Sequence, residues 1–238
     1  MSSIETAPSV GEPRARRSNV RGIKSRARLL EAAAWCFSVY GYGGTRVSDI
    51  VGRAGMSQGA FYRHFVDKDE ALLEVLGEPL AELLTTTAWT GAEHGAGLDE
   101  LIRRNTAFFQ VYARYAGLFR VMREAAAGPE SSFRHRWLGV RGRFVTRIEE
   151  WLVELRDAGV IDGADLPLLA ATLGAMLDQL AYTRIGMAEV PPRPEELAAF
   201  GRVTGQVWHA TLAARPPRKP SSARSGVRSG AGKRAVHE

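Results

Sequence analysis

The chain has 238 residues, 45% of them hydrophobic, with a formal charge of +6, which is enough length and apolar content to bury a sizeable core. No apolar run reaches the eighteen or more residues of a membrane span, and the basic N-terminus lacks the apolar stretch of a secretory signal. The single cysteine, Cys36, offers neither an intramolecular disulfide nor metal-ligand spacing, so it is expected as a small core residue in a cytoplasmic protein.

Residues 1–20 and 215–238 are rich in Pro, Ser, Gly and Arg without apolar periodicity, and both are expected to be disordered basic arms. Nearly everything between them has helical spacing, and no sustained period-2 run marks a strand. The first predicted helix covers 22–40, with Ile23, Ala27, Leu30, Ala34 and Phe37 on one face, and Gly41, Gly43 and Gly44 end it. A second, at 46–53, is expected to bury Val47, Ile50 and Val51 behind Thr45 as N-cap. Ala54-Gly55-Met56 form a tight turn, with Gly55 suited to a positive φ. Ser57 caps a third helix over 57–64, whose Ala60 and Phe61, with Phe65 just beyond, make its buried side. Asp67 opens a fourth, with Glu70 as its capping-box partner, and Pro79 should kink or end it. Beyond a loop at 91–97, helices are predicted over 98–114, 116–127, 130–158, 165–188 and 194–213. The fifth to last of these segments are divided by Gly117, Gly128-Pro129, residues 159–163 and residues 191–194.

Charge is distributed unevenly. Residues 14–68 hold eleven Lys/Arg against three acids, whereas 69–214 hold fourteen against twenty. A basic front on an acidic body suits a protein that turns one end toward phosphates. In the third helix Ser57, Gln58, Gly59, Tyr62 and Arg63 lie off the buried face. Gln58 can bond an adenine edge in two places, and small Gly59 and Ala60 would let the helix sit deep and meet a thymine methyl. Tyr62, His64 and Lys68 carry donors for phosphate oxygens. The Arg/Lys-rich stretch leading into the first helix, with Arg21 and Lys24, could reach a minor groove.

These residues resemble a known family. The run KSRARLLEAAAWCFSVYGYGGTRVSDIVGRAGMSQGAFYRHFVDKDEALLEVL is similar to the N-terminal domain of TetR-family transcriptional regulators. The resemblance is carried by Gly41-Tyr42, Thr45, Asp49-Ile50, Ala54-Gly55, Ser57-Gln58-Gly59, Tyr62-Arg63-His64-Phe65, Lys68 and Leu72-Leu73. It implies an all-α protein, with an N-terminal three-helix helix-turn-helix domain followed by a larger helical ligand-binding and dimerisation domain. The boundaries expected are 21–68 for the DNA-binding domain and 69–214 for the ligand-binding and dimerisation domain. By the same resemblance Thr45 falls near the DNA backbone, Gln58, Gly59 and Ala60 on base-reading positions, and Tyr62, His64 and Lys68 on phosphate contacts. Arg46 stands where the family more often has a small residue, and a phosphate contact is expected for it on its charge alone. Pro79 departs from the smoothest form of the family's fourth helix.

The body is quieter. Phe108, Phe109, Tyr112, Phe119, Met122, Trp137, Phe144 and Met176, with the polar Asp178, Gln179 and Tyr182, are candidates to line a mostly apolar cavity with a few polar groups. An apolar or amphipathic effector is expected there, with no cofactor. The last two long helices are expected to pair across a two-fold axis, through Ala170, Ala171, Gly174, Ala175 and Leu177 on one and Leu197, Phe200, Val203, Val207 and Trp208 on the other. No nucleophile motif, phosphate-binding glycine loop or His/Glu metal spacing points to an enzyme. The function expected is a homodimeric repressor released from a palindromic double-stranded operator by a small ligand, with an architectural DNA-binding protein as the alternative.

Overall fold

A computed structural model describes residues 14–86, 97–128, 132–162 and 165–213. The described residues are helical with no strand, in the order α1 (Arg14–Gly44), α2 (Val47–Ala54), α3 (Gln58–Tyr62), α4 (Lys68–Val75), α5 (Gly77–Thr86), α6 (Leu98–Arg114), α7 (Ala116–Ala127), α8 (Ser132–Asp157), α9 (Leu166–Ala181) and α10 (Pro194–Ala213). The expected arm 215–238, residues 1–13 of the other arm and loop residues 91–96 lie outside the described residues.

Helix α1 begins at Arg14, so 14–20 continue the helix rather than join a disordered arm. Its buried face also differs from the predicted one. Leu29, Ala32, Ala33, Cys36 and Phe37 are buried, while Ile23 is 63% exposed and Ala27 faces solvent. Alanines at steps of three and four sit on several faces at once, and Leu29 and Phe37, eight residues apart, fix the true one. The helix breaks at Gly41, whose φ of +71° only glycine takes without strain.

Thr45 is not the N-cap of α2. Arg46 holds that position, its N–H donating to Asp49 Oδ2 at 2.8 Å. Thr45 is buried instead, its hydroxyl donating to the Gly41 carbonyl at 2.6 Å. Gly55 closes α2 at φ +62°, and Arg28 of α1 donates to the Ala54 carbonyl at 2.6 Å. Ser57 accepts from the Ala60 N–H at 3.2 Å and Asp67 from the Glu70 N–H at 2.8 Å, as predicted. Glu70 reaches back to the Val66 N–H at 2.5 Å, one residue before the cap.

The chain breaks again between α4 and α5, and Pro79 falls in the first turn of α5. A proline costs nothing there, because first-turn N–H groups have no partner within the helix. Helix α10 lies along α6, and the crossing is close because Gly201 and Gly205 carry no side chain. A Cβ on Gly201 would stand 1.9 Å from Thr106 Oγ1 and 2.6 Å from the α6 backbone. Between the two glycines Thr204 accepts from Asn105 Nδ2 at 3.1 Å.

Much of the predicted pairing surface is therefore used within the chain. Ala170, Gly174, Leu177, Leu197 and Trp208 are buried, with Gly174 against Ile148 and Phe144 and Trp208 beside Trp151. Leu168 on α9 and Val203 and Val207 on α10 remain exposed. The predicted helix 165–188 changes pitch after Ala181 into a π turn over Tyr182–Gly186, where Gly186 packs between Tyr182 and Tyr112.

Candidate nucleic-acid interface and internal cavity

Helix α3 is only five residues long, and its place is fixed by what it buries. Ala60, Phe61 and Phe65 join the core formed with α1 and α2. That anchoring leaves Ser57, Gln58, Gly59, Tyr62 and Arg63 facing outward. A Cβ on Gly59 would meet nothing nearer than Ser57 Oγ at 3.9 Å, so the absent side chain lowers the surface rather than relieving a clash. Ala60 is 5% exposed and lies on the core side of the helix.

The predicted phosphate contacts divide into free and engaged groups. Tyr62 is 58% exposed, its ring edge-on to Phe61. Arg46 is exposed at the start of α2, and Arg21 and Lys24 are exposed on α1 itself rather than on an arm before it. Thr45 is buried, with its hydroxyl bonded to the Gly41 carbonyl. His64 is half-buried, with Nε2 2.7 Å from the Ser25 hydroxyl. Lys68 donates to the carbonyls of Tyr42 at 3.0 Å and Thr45 at 3.2 Å, with its ammonium 4.1 Å from the Tyr42 ring centre. Its charge thus holds the turn that joins α1 to α2.

Tyr42 is the centre of a junction between this surface and the body. Its ring lies between Phe37 and Phe133 at 6.4 and 6.3 Å, and its hydroxyl donates to the buried Asp69, which also accepts from the Ser132 hydroxyl of α8. Burial, and then the bond to Asp69, raise the Tyr42 phenol far above its ordinary pKa, so it remains a donor. Arg136 of α8 forks onto Asp67, the N-cap of α4, at 3.1 and 3.0 Å. Glu124 of α7 accepts from the N–H groups of Tyr42 at 3.1 Å and Gly43 at 2.9 Å. Sequence reasoning missed these partners, because Tyr42 and Asp69 are 27 residues apart, the other pairs are more than sixty apart, and no local pattern connects them.

Within the body lies a narrow, partly open cavity with a volume of about 60 Å³. Seven of the predicted residues line it: Phe108, Tyr112, Phe119, Met122, Trp137, Phe144 and Asp178. The other four do not. Phe109 is fully buried between Phe108 and Phe200, Met176 packs into the core, Gln179 is exposed, and Tyr182 lies under the Arg123 guanidinium at 4.3 Å. The structure adds Leu80, Leu83 and Leu84 of α5, together with Arg141. Arg141 was within reach of sequence reasoning, since it falls four residues after Trp137 and three before Phe144 on the same face.

Comparisons with known proteins agree with this arrangement. The sequence profile described as bacterial regulatory proteins, tetR family, matches residues 29–75. The chain is 34% identical over 84 residues to the uncharacterized HTH-type transcriptional regulator YdgC of Bacillus subtilis, covering 35% of this chain and 43% of that one, so it spans under half of that relative. It is 29% identical over 172 residues to the HTH-type transcriptional repressor AcnR of Corynebacterium diphtheriae, covering 68% and 74%. Among solved structures, SmeT in complex with triclosan has the same fold, with a TM-score of 0.63 and 21% identity over 82% of this chain and 100% of that one.

Proposed function

We propose that this chain, whose residues 29–75 match the profile of bacterial regulatory proteins, tetR family, is a repressor, released from a palindromic DNA operator by a small, largely apolar ligand. The observation that carries this reading is the outward face of α3, where Ser57, Gln58, Gly59, Tyr62 and Arg63 are exposed on a helix pinned from behind by Phe61 and Phe65. Gln58 is the residue assigned to a base edge, with Gly59 allowing close approach. Tyr62, Arg63, Arg46, Arg21 and Lys24 supply phosphate contacts around it. Ser57 presents its cap at the base of the groove. Lys68 and His64 hold the scaffold and face the flanking phosphates.

A ligand controls such a protein by binding one of two states better. Helix α8 offers a direct route, because Trp137 lines the cavity and its neighbour Arg136 grips Asp67 at the cap of α4. A shift of α8 to seat a ligand would pull on α4 and so on the turn held by Lys68. The binding of triclosan by SmeT supports a small-molecule effector. Exposed Leu168, Val203 and Val207 support a homodimer through α9 and α10, and a two-fold dimer suits two half-sites one helical turn apart.

Footprinting tests the reading. A short symmetric site protected far more strongly than bulk DNA is expected, with protection lost on adding effector. Uniform coverage of any duplex would favour an architectural protein and sink the repressor.

A further inference from the structure

The cavity wall is apolar except for Tyr112, Asp178 and Arg141, and Asp178 lies near both of the others. Asp178 is already paired, with Oδ1 at 2.7 Å from Arg123 and Oδ2 at 3.8 Å from Arg141. Two guanidinium groups thus share one carboxylate, and the local balance is one positive charge. Hydrogen-bonding capacity is unbalanced in the same sense. The Tyr112 hydroxyl is buried without a hydrogen-bond partner, although the Arg123 guanidinium lies beside it, and Arg123 Nε is buried and unpartnered as well. Burial pushes the Tyr112 phenol up to about 12, so it stays protonated and able to donate. Among the described residues Arg141 is held only by the long contact to Asp178, and its side chain is 42% exposed, which places its charge at the rim rather than in the apolar interior.

Donors left over around an apolar chamber are satisfied by a ligand rich in acceptors, and surplus positive charge favours an anion. We propose that the effector is an amphipathic anion: an aromatic or aliphatic body seated among Phe108, Phe119, Trp137 and Phe144, with a carboxylate or similar oxyanion at Arg141 and the Tyr112 hydroxyl. This rests on the ligand-controlled reading above and names the chemistry of its ligand. A cationic amphiphile is disfavoured because the one cavity carboxylate would have to leave two arginines to meet it. A neutral alcohol would leave the charge at Arg141 without a counterpart.

Calorimetry on the full chain with three probes of equal body separates these outcomes: 2-naphthoate, 2-naphthylmethanol and 2-naphthylmethylamine. Naphthoate is expected to bind most tightly and to raise the melting temperature. Arg141→Gln, at a half-exposed position that folding tolerates, should lower naphthoate affinity about tenfold, the loss of one charge-assisted hydrogen bond, and leave the alcohol unchanged. Tyr112→Phe, which removes only the hydroxyl, should weaken naphthoate severalfold. Equal binding of the three probes, or a preference for the amine, overturns the anionic assignment. Absence of binding by all three overturns it too. Preferential binding of naphthoate without release of operator DNA would leave the ligand class standing and reject the regulatory reading instead.

Discussion

The head built from α1 to α4 and the body built from α5 to α10 use the same few residue types to opposite ends. In the head, the side chains proposed to act on DNA are those left over from the core, and Gln58, Tyr62 and Arg63 point away from the protein. In the body the proposed ligand site is enclosed, and Tyr112, Trp137 and Phe144 line one space. Glycine shows the contrast most sharply. Gly59 leaves a surface low where another molecule must approach, whereas Gly201 lets two helices of one chain touch. A residue chosen for absence of a side chain therefore needs its surroundings before it can be interpreted.

Substitutions at these positions can break that contrast or sharpen it. Gly201→Ala should have the largest effect, costing about 3 kcal/mol in urea unfolding, at the upper end for overpacking, because the new Cβ would meet α6 backbone that cannot swing aside. A loss of a few tenths would mean that α10 shifts freely on α6. Gln58→Ala should cost about 1–3 kcal/mol of operator affinity at one base position per half-site with the fold intact. A binding-site profile that does not change would remove Gln58 from the base-reading set. Lys68→Ala lies between the two kinds of function. It should cost about 1 kcal/mol of stability through the lost bonds to the Tyr42 and Thr45 carbonyls, and lower the salt slope of DNA binding by about one unit. With stability reduced and the slope unmoved, its ammonium serves the turn alone. Gly59→Ala should have the smallest effect on folding, a gain of about 0.5 kcal/mol from a better helix former in open space, together with weaker operator binding. Equal operator affinity would show that the helix does not sit deep at this point.

The two regions also differed in how much of them could be read in advance. Most helix boundaries of the body were marked by glycine and proline, and 98–114 and 116–127 coincide with α6 and α7. The caps at Ser57 and Asp67 were visible because capping is a contact between residues three apart. The α1 face was misplaced because alanine marks no face strongly. Thr45 was misjudged because a threonine before a helix resembles a cap until Gly41 offers its hydroxyl a nearer acceptor. The cavity was half legible. Its walls come from α5, α6, α7, α8 and α9, and within each helix a lining aromatic such as Tyr112 obeys the same spacing as a packed one such as Phe109. Only the meeting of five helices separates them.

The break between α4 and α5 has a consequence for how such a protein can change over time. Leu80, Leu83 and Leu84, which touch the cavity, all lie after it, and Asp67, Lys68 and Asp69, which hold the head together, all lie before it. Under the proposed function, substitutions that reshape the chamber for a new compound would fall on a different helix from those that keep the grip on DNA. Ligand choice and operator choice could then drift separately, and a duplicated copy of this chain could acquire a new signal without first losing its address.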